Sequence, residues 1–142
     1  MKVKLDQGAY MPERAHELDA GYDLRTPGRF VVGSFTTFNG DGMAMIDTGI
    51  HVEIPAGHVG FLKSKSGLNV HHNLTCDGTI DAGYTGSIIV KIYNHGPEPY
   101  TFQRGDKVAQ LVIVPIVTPD LEQVQDLAET ERGSNGFGST GR

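Results

Sequence analysis

The chain has 142 residues, one domain's worth, and scatters 19 glycines and 7 prolines among short Val/Ile/Phe/Thr runs, a composition of strands and turns rather than helices. A net charge of −5 argues against a protein that binds nucleic acid or a membrane surface through a basic face, and the single cysteine, Cys76, cannot close an internal disulfide and fits a reducing compartment. No run reaches membrane-spanning length and Met1-Lys2-Val3-Lys4-Leu5-Asp6 has no apolar signal core, so a soluble cytoplasmic protein is expected.

In chain order, Val3-Lys4-Leu5 predicts an edge strand, and a loop through Pro12 leads to Leu18-Asp19-Ala20-Gly21-Tyr22-Asp23-Leu24, where both leucines are expected to be buried. Phe30 to Phe38 and Met43 to Ile50 predict strands joined at Asn39-Gly40-Asp41-Gly42, a strong hairpin signal. His51-Val52-Glu53-Ile54 alternates and turns at Pro55-Ala56-Gly57-His58. After Val59-Gly60-Phe61-Leu62, Ser64 or Ser66 is suited to capping a short helix, whose start would offer free N–H groups, hydroxyls and the lysines at 63 and 65 to phosphate, or simply be a capped surface helix. His71-His72 has no partner ligands at metal-site spacing.

The centre of the chain, Asp77-Gly78-Thr79-Ile80-Asp81-Ala82-Gly83-Tyr84-Thr85-Gly86, predicts a β-hairpin with the following strand 87–93. Its glycines at 78, 83 and 86 permit positive φ, and Ile80, Tyr84 and Ile88 are expected to wall a cavity around one carboxylate, Asp81. An ionised aspartate there can take a proton from water, or it is only a turn residue; the stretch by itself leaves both readings open. Downstream, Asn94 to Pro99 is a turn, Tyr100 to Gln103 a strand, and Arg104-Gly105-Asp106-Lys107 a corner before the apolar run 108–115, in which Gln110 needs a backbone or ligand partner. Residues 120–131 fit a short helix or an extended arm, and 132–142 form a glycine-rich tail with no P-loop signature. Lys63, Lys65, Arg104, Lys107, Arg132 and Arg142 all lie in or beside glycine-containing segments, as suits an acidic protein handling a small polyanion.

Five of these segments, in order, resemble the motifs of the trimeric deoxyuridine triphosphate nucleotidohydrolases, the dUTPases. They are Ala20-Gly21-Tyr22-Asp23-Leu24, Lys65-Ser66-Gly67-Leu68, Gly78-Thr79-Ile80-Asp81 with Tyr84 and Gly86, Arg104-Gly105-Asp106-Lys107-Val108-Ala109-Gln110-Leu111, and Arg132-Gly133-Ser134-Asn135-Gly136-Phe137-Gly138-Ser139-Thr140-Gly141. The resemblance implies an all-β jelly-roll or β-clip barrel over residues 1–115 with one short helix, and a C-terminal arm, 116–142, exchanged within a homotrimer. It implies dUTP as substrate, hydrolysed to dUMP and pyrophosphate, with Asp81 activating the attacking water. Gly78 and Ile80 would lie at the uracil, Tyr84 on the deoxyribose, and Lys65, Ser66, Gly67 and Gln110 on the phosphates. Asp23 would meet a Mg²⁺ through water, while Arg132, Gly138, Ser139 and Thr140 close over the nucleotide and Phe137 stacks on the base. Many members have arginine where Lys65 stands, which suggests help from Lys63, and asparagine where Thr75 stands. The dCTP deaminases share the fold but need a glutamate on the strand after the hairpin, where this chain has Lys91. A regulatory protein partner, in addition to catalysis, stays open.

Overall fold

The computed structural model describes residues 1–35 and 42–135. In order come β1 (Lys2–Leu5), β2 (Gly21–Arg25), β3 (Phe30–Val32), β4 (Met43–Asp47), β5 (Ile50–Glu53), β6 (His58–Lys63), α1 (Ser66–His72), β7 (Leu74–Thr75), β8 (Asp77–Asp81), β9 (Ile89–Asn94), β10 (Tyr100–Phe102) and β11 (Lys107–Pro115). The ladders are antiparallel: β2-β11-β6-β8 in a four-stranded sheet, β4-β9-β7 in a three-stranded one, and the pairs β1-β5 and β10-β3. Among the described residues no helix is long and apolar enough to cross a membrane.

Alternation explains the core. Ile46 in β4 and Val90 and Ile92 in β9 turn inward to meet Leu24, Leu62, Phe102 and Leu111, all essentially without solvent contact. Ile46→Val, which removes one buried methylene, should cost about 1 kcal/mol in a denaturant melt. Cys76 is buried in the same cluster, and desolvation pushes its thiol up to about 11, so it serves as a packing residue.

Several expectations change. Leu18 is 95% exposed, because the loop ahead of β2 carries it outward, while Leu24 is buried as expected. The predicted strand from Met43 to Ile50 breaks at Thr48-Gly49, where Gly49 takes φ +65° and the buried Thr48 hydroxyl donates to the Ile88 carbonyl at 2.8 Å. Within the described residues β3 pairs with β10 rather than with β4. The Asn39-Gly40-Asp41 turn expected between them lies outside the described residues.

The central stretch is not a hairpin. β8 pairs with β6 and β9 pairs with β4 and β7, so the turn after Asp81 carries the chain from one sheet to another. Of its three glycines only Gly83 takes a positive φ, +97°. Ile88 is fully buried in the core and does not wall the cavity; Ile89 takes that place. The helix start differs too. Lys65, in an extended conformation, is the N-cap and makes no side-chain cap bond, because the Ser64 hydroxyl is engaged with the backbone of Cys76 instead. Residues 116–131 contain neither helix nor strand and are exposed throughout, with Val117, Leu121 and Leu127 at 86% exposure or more.

Candidate active site

The first of two clusters is a cavity of about 240 Å³ lined by Asp23, Lys65, Lys107 and Gln110, with Gly21 and residues 15, 19 and 20 of the covering loop. A defect in strand pairing builds it. Along β2, Asp23 and Arg25 share a face, and their partners on β11 are Gln110 and Lys107, three positions apart. The register shift between Lys107 and Ala109 absorbs the extra residue, so Val108 and Ala109 are both buried while Lys107 and Gln110 come to one side. Gly21 leaves room for this: a Cβ there would sit 2.7 Å from the Gln110 amide oxygen. Gln110 is half-buried and faces the cavity.

Asp23 faces away from Leu24, as alternation requires, yet is buried, because residue 13 bridges over it with backbone hydrogen bonds in both directions. One carboxylate oxygen is bound by the Lys65 ammonium and the other by that of Lys107 at 2.6 Å. Burial raises its pKa, but the hydrogen bonds and charges of Lys107 and Lys65 together outweigh that and hold it below the usual carboxylate range. Lys63, the expected helper, is elsewhere: it is ion-paired with Asp77 at 2.5 Å on the adjacent strand. Lys107 is the cation missed as an individual site residue. Its sequence signal was its place at the end of the Arg104-Gly105-Asp106 corner, but only the bulge aims it at Asp23, across from Lys65. Ser66 and Gly67 follow Lys65 as the exposed, uncapped first turn of α1. Thr75 is engaged with the ring of His95 at 2.8 Å.

The second cluster is an open pocket of about 250 Å³ at the end of β8, lined by Thr79, Ile80, Asp81, Tyr84 and Ile89. Asp81 is exposed, and among the described residues nothing hydrogen-bonds its carboxylate; its carbonyl accepts from the Tyr84 N–H at 3.1 Å. Tyr84 is 45% exposed and fixed by its hydroxyl, which donates to the Ser87 carbonyl at 2.9 Å. The ring lies directly over Gly86, where a Cβ would come within 2.6 Å of the ring carbon Cζ.

One chain does not bring the clusters together. Gln110 and Asp77 both flank Lys63 at one end of β6, whereas Asp81 pairs with Val59, four residues along and therefore about 13 Å away. Gly78 lies between, packed on Leu62. Arg132 is exposed, its Nε donating to the Asn135 carbonyl at 3.0 Å within its own turn. Phe137, Gly138, Ser139 and Thr140 lie outside the described residues.

A family model named dUTPase matches residues 7–141. The chain belongs to the dUTPase family. Among its relatives, the deoxyuridine 5'-triphosphate nucleotidohydrolase of Clostridium acetobutylicum is 40% identical over 141 residues, 97% of this chain and 93% of the relative. Among solved structures, the dUTPase of Staphylococcus bacteriophage 80alpha with dUPNHPP superposes with a TM-score of 0.88 at 37% identity, covering 99% of this chain and 98% of that one. It is described as one of the phage dUTPases that control transfer of virulence genes by a G protein-like mechanism. A mutant dUTPase from phage phi11 of S. aureus, described as coordinating a structural Mg(II) ion, gives 0.80 at 35% identity, covering 90% of this chain and 98% of that one. The fold of this dUTPase chain is accordingly the family's jelly-roll β architecture with one short helix.

Proposed function

We propose that the protein hydrolyses dUTP to dUMP and pyrophosphate at sites shared between three copies of the chain. The observation that carries this reading is the carboxylate of Asp81, without a hydrogen-bond partner among the described residues, beside Tyr84 in an outward-facing pocket. Asp81 takes a proton from water as the water oxygen bonds to the α-phosphorus; the bond from that phosphorus to the bridging oxygen breaks, and pyrophosphate leaves. Tyr84 packs on the deoxyribose and leaves no room for a 2′-hydroxyl, while backbone groups from Gly78 to Ile80 meet the uracil edge.

The phosphates are held by Lys65, Ser66, Gly67 and Gln110 of a neighbouring copy, with Lys107 as a second ammonium. The spacing of about 13 Å along β6 between Asp81 and this cluster within one chain supports a neighbour's part in the site. An exposed face suited to packing between copies is available: Met43, Met45, Tyr93 and Ile89 stand outward on adjacent strands β4 and β9. In this reading the chain divides into a barrel, 1–115, and an arm, 116–142, whose Arg132, Phe137, Gly138, Ser139 and Thr140 close over a third copy's site.

The residues fit a magnesium ion carried by the nucleotide rather than one caged by protein. The cavity offers the Asp23 carboxylate beside the ammonium groups of Lys65 and Lys107, and Asp23 would be the residue to hold such an ion through water while the two lysines face the phosphates. When bound, such an ion neutralises phosphate charge. This chain's own contribution is to orient the triphosphate chain through the ammonium groups of Lys65 and Lys107.

The test is pyrophosphate release from dUTP, dTTP, dCTP and UTP side by side, with and without Mg²⁺. Strong preference for dUTP is expected, and equal turnover of all four sinks the reading. Deamination is disfavoured because β9, the strand on which the dCTP deaminases need a glutamate, carries Lys91 instead. A regulatory role like the one described for the 80alpha enzyme would be additional to hydrolysis. Gly86→Ala should push the Tyr84 ring off its seat, raising KM for dUTP about 5-fold and narrowing the dUTP over UTP preference, since a lost packing contact of this size is worth about 1 kcal/mol.

A further inference from the structure

The segment that carries Tyr84 is tied down from outside the pocket by His51, a residue of β5 to which nothing above assigns a role. Its Nδ1 lies 2.8 Å from the carbonyl oxygen of Thr85, and its Nε2 lies 3.1 Å from Oδ2 of Asp6. A carbonyl and an ionised carboxylate only accept hydrogen bonds, whereas a neutral imidazole has a single N–H to donate. Both contacts are satisfied together only by the imidazolium. The ring is 17% exposed, and the loop it holds is fixed at two further points: Ser87 bonds the Asp47 carboxylate, and the Ile88 N–H donates to the Ile50 carbonyl at 2.8 Å.

We propose that His51, as an imidazolium held between Asp6 and the Thr85 carbonyl, is a positioning residue that sets the Tyr84 loop and, through it, the discrimination between deoxyribose and ribose. The proposal rests on the reading of Tyr84 as the sugar contact. Charged neighbours act in both directions: Asp6 attracts the ring's charge, while Lys4, opposite His51 on β1 and 3.7 Å from Asp6, opposes it. The bond to Thr85 and then that to Asp6 raise the His51 pKa, against some desolvation, and His51 in turn lowers that of Asp6. The clamp is therefore complete below the ordinary histidine value and is released as pH rises through the higher folded value. With the proton gone, one ring nitrogen presents a lone pair to an oxygen, and the Thr85 end or the Asp6 end must let go.

Two measurements on the intact protein test this. Long-range ¹H–¹⁵N spectra of the histidine rings, without nucleotide, should show both His51 nitrogens protonated at pH 6. The Tyr84 and Thr85 amide resonances should titrate with the same midpoint, that coupling should vanish in His51→Phe, and the midpoint should fall in Asp6→Asn. Independently, the ratio of kcat/KM for dUTP to that for UTP, followed from pH 5.5 to 9, should drop roughly tenfold through the His51 midpoint, the order expected for one charge-assisted hydrogen bond lost. In His51→Phe the ratio should be low and flat. A singly protonated ring at pH 6, amides that ignore its titration, or a ratio unaffected by pH and by His51→Phe overturns the clamp. Absence of dUTP turnover in the unmutated protein at every pH instead sinks the assigned activity, and the spectra then decide the clamp on their own.

Discussion

Asp81→Asn should lower kcat by about 10²–10⁴-fold, the usual worth of a general base, while the protein still folds and still binds dUTP. The substitution preserves shape and removes only the capacity to accept a proton. Because among the described residues no side chain depends on the Asp81 carboxylate, the variant's melting temperature should match that of the unmutated protein. Dissociation constants for a non-hydrolysable dUTP analogue should also be nearly unchanged. Steady-state pyrophosphate release together with analogue titration checks both halves. A variant that turns over at the normal rate removes Asp81 from the role; one that fails to bind makes the carboxylate a ligand contact instead.

Asp23→Asn should be nearly as damaging for a different reason. The buried carboxylate takes Lys65 on one oxygen and Lys107 on the other, and an amide can accept from only one of them, leaving its NH₂ facing an ammonium. Removing one partner of a buried charge cluster costs several kcal/mol; with Lys65 and Lys107 partly open to solvent, about 2 kcal/mol is expected in a urea melt. On the proposed phosphate-holding role of Lys65 and Lys107, losing their placement should lower kcat/KM about 10²-fold, mostly through KM.

The same variant changes the response to acid. A carboxylate held below its ordinary pKa stabilises the fold above the unfolded value of about 4, and that stability drains away as pH falls through the lower folded value. The unmutated protein should therefore lose stability more steeply than Asp23→Asn below about pH 4. Parallel acid melts decide it; identical slopes would mean that the lysines do not hold Asp23 in solution.

Much of this molecule could be read from local pattern. The strand after the central stretch was legible from its apolar content, and the corner at Arg104-Gly105-Asp106-Lys107 announced the apolar run that forms β11. The identity of Asp81 as a lone acid among glycines and apolar residues was equally visible. Strand partners were not. The stretch from Asp77 to Tyr93 has every local mark of a hairpin, yet its two strands pair with β6 and with β4, because ladder bonds are made between segments that propensity does not connect. Ile88 and Leu18 were misplaced for a related reason: which side of a segment is covered depends on what folds over it.

By itself, then, the sequence determined that the protein is a β fold of short strands and tight turns with a lone aspartate and several cations set among glycines, since composition, the glycine-bearing corners and the placement of charge are all properties of neighbouring residues. Only the tertiary structure decided that Lys107 rather than Lys63 stands with Lys65 on Asp23. A single extra residue in β11, invisible in the pattern of side chains, shifts the register and turns Lys107 to the side of Gln110. Only the sheet register, likewise, set Asp81 at the far end of β6 from those lysines, because strand pairing rather than local pattern decides which residues stand side by side.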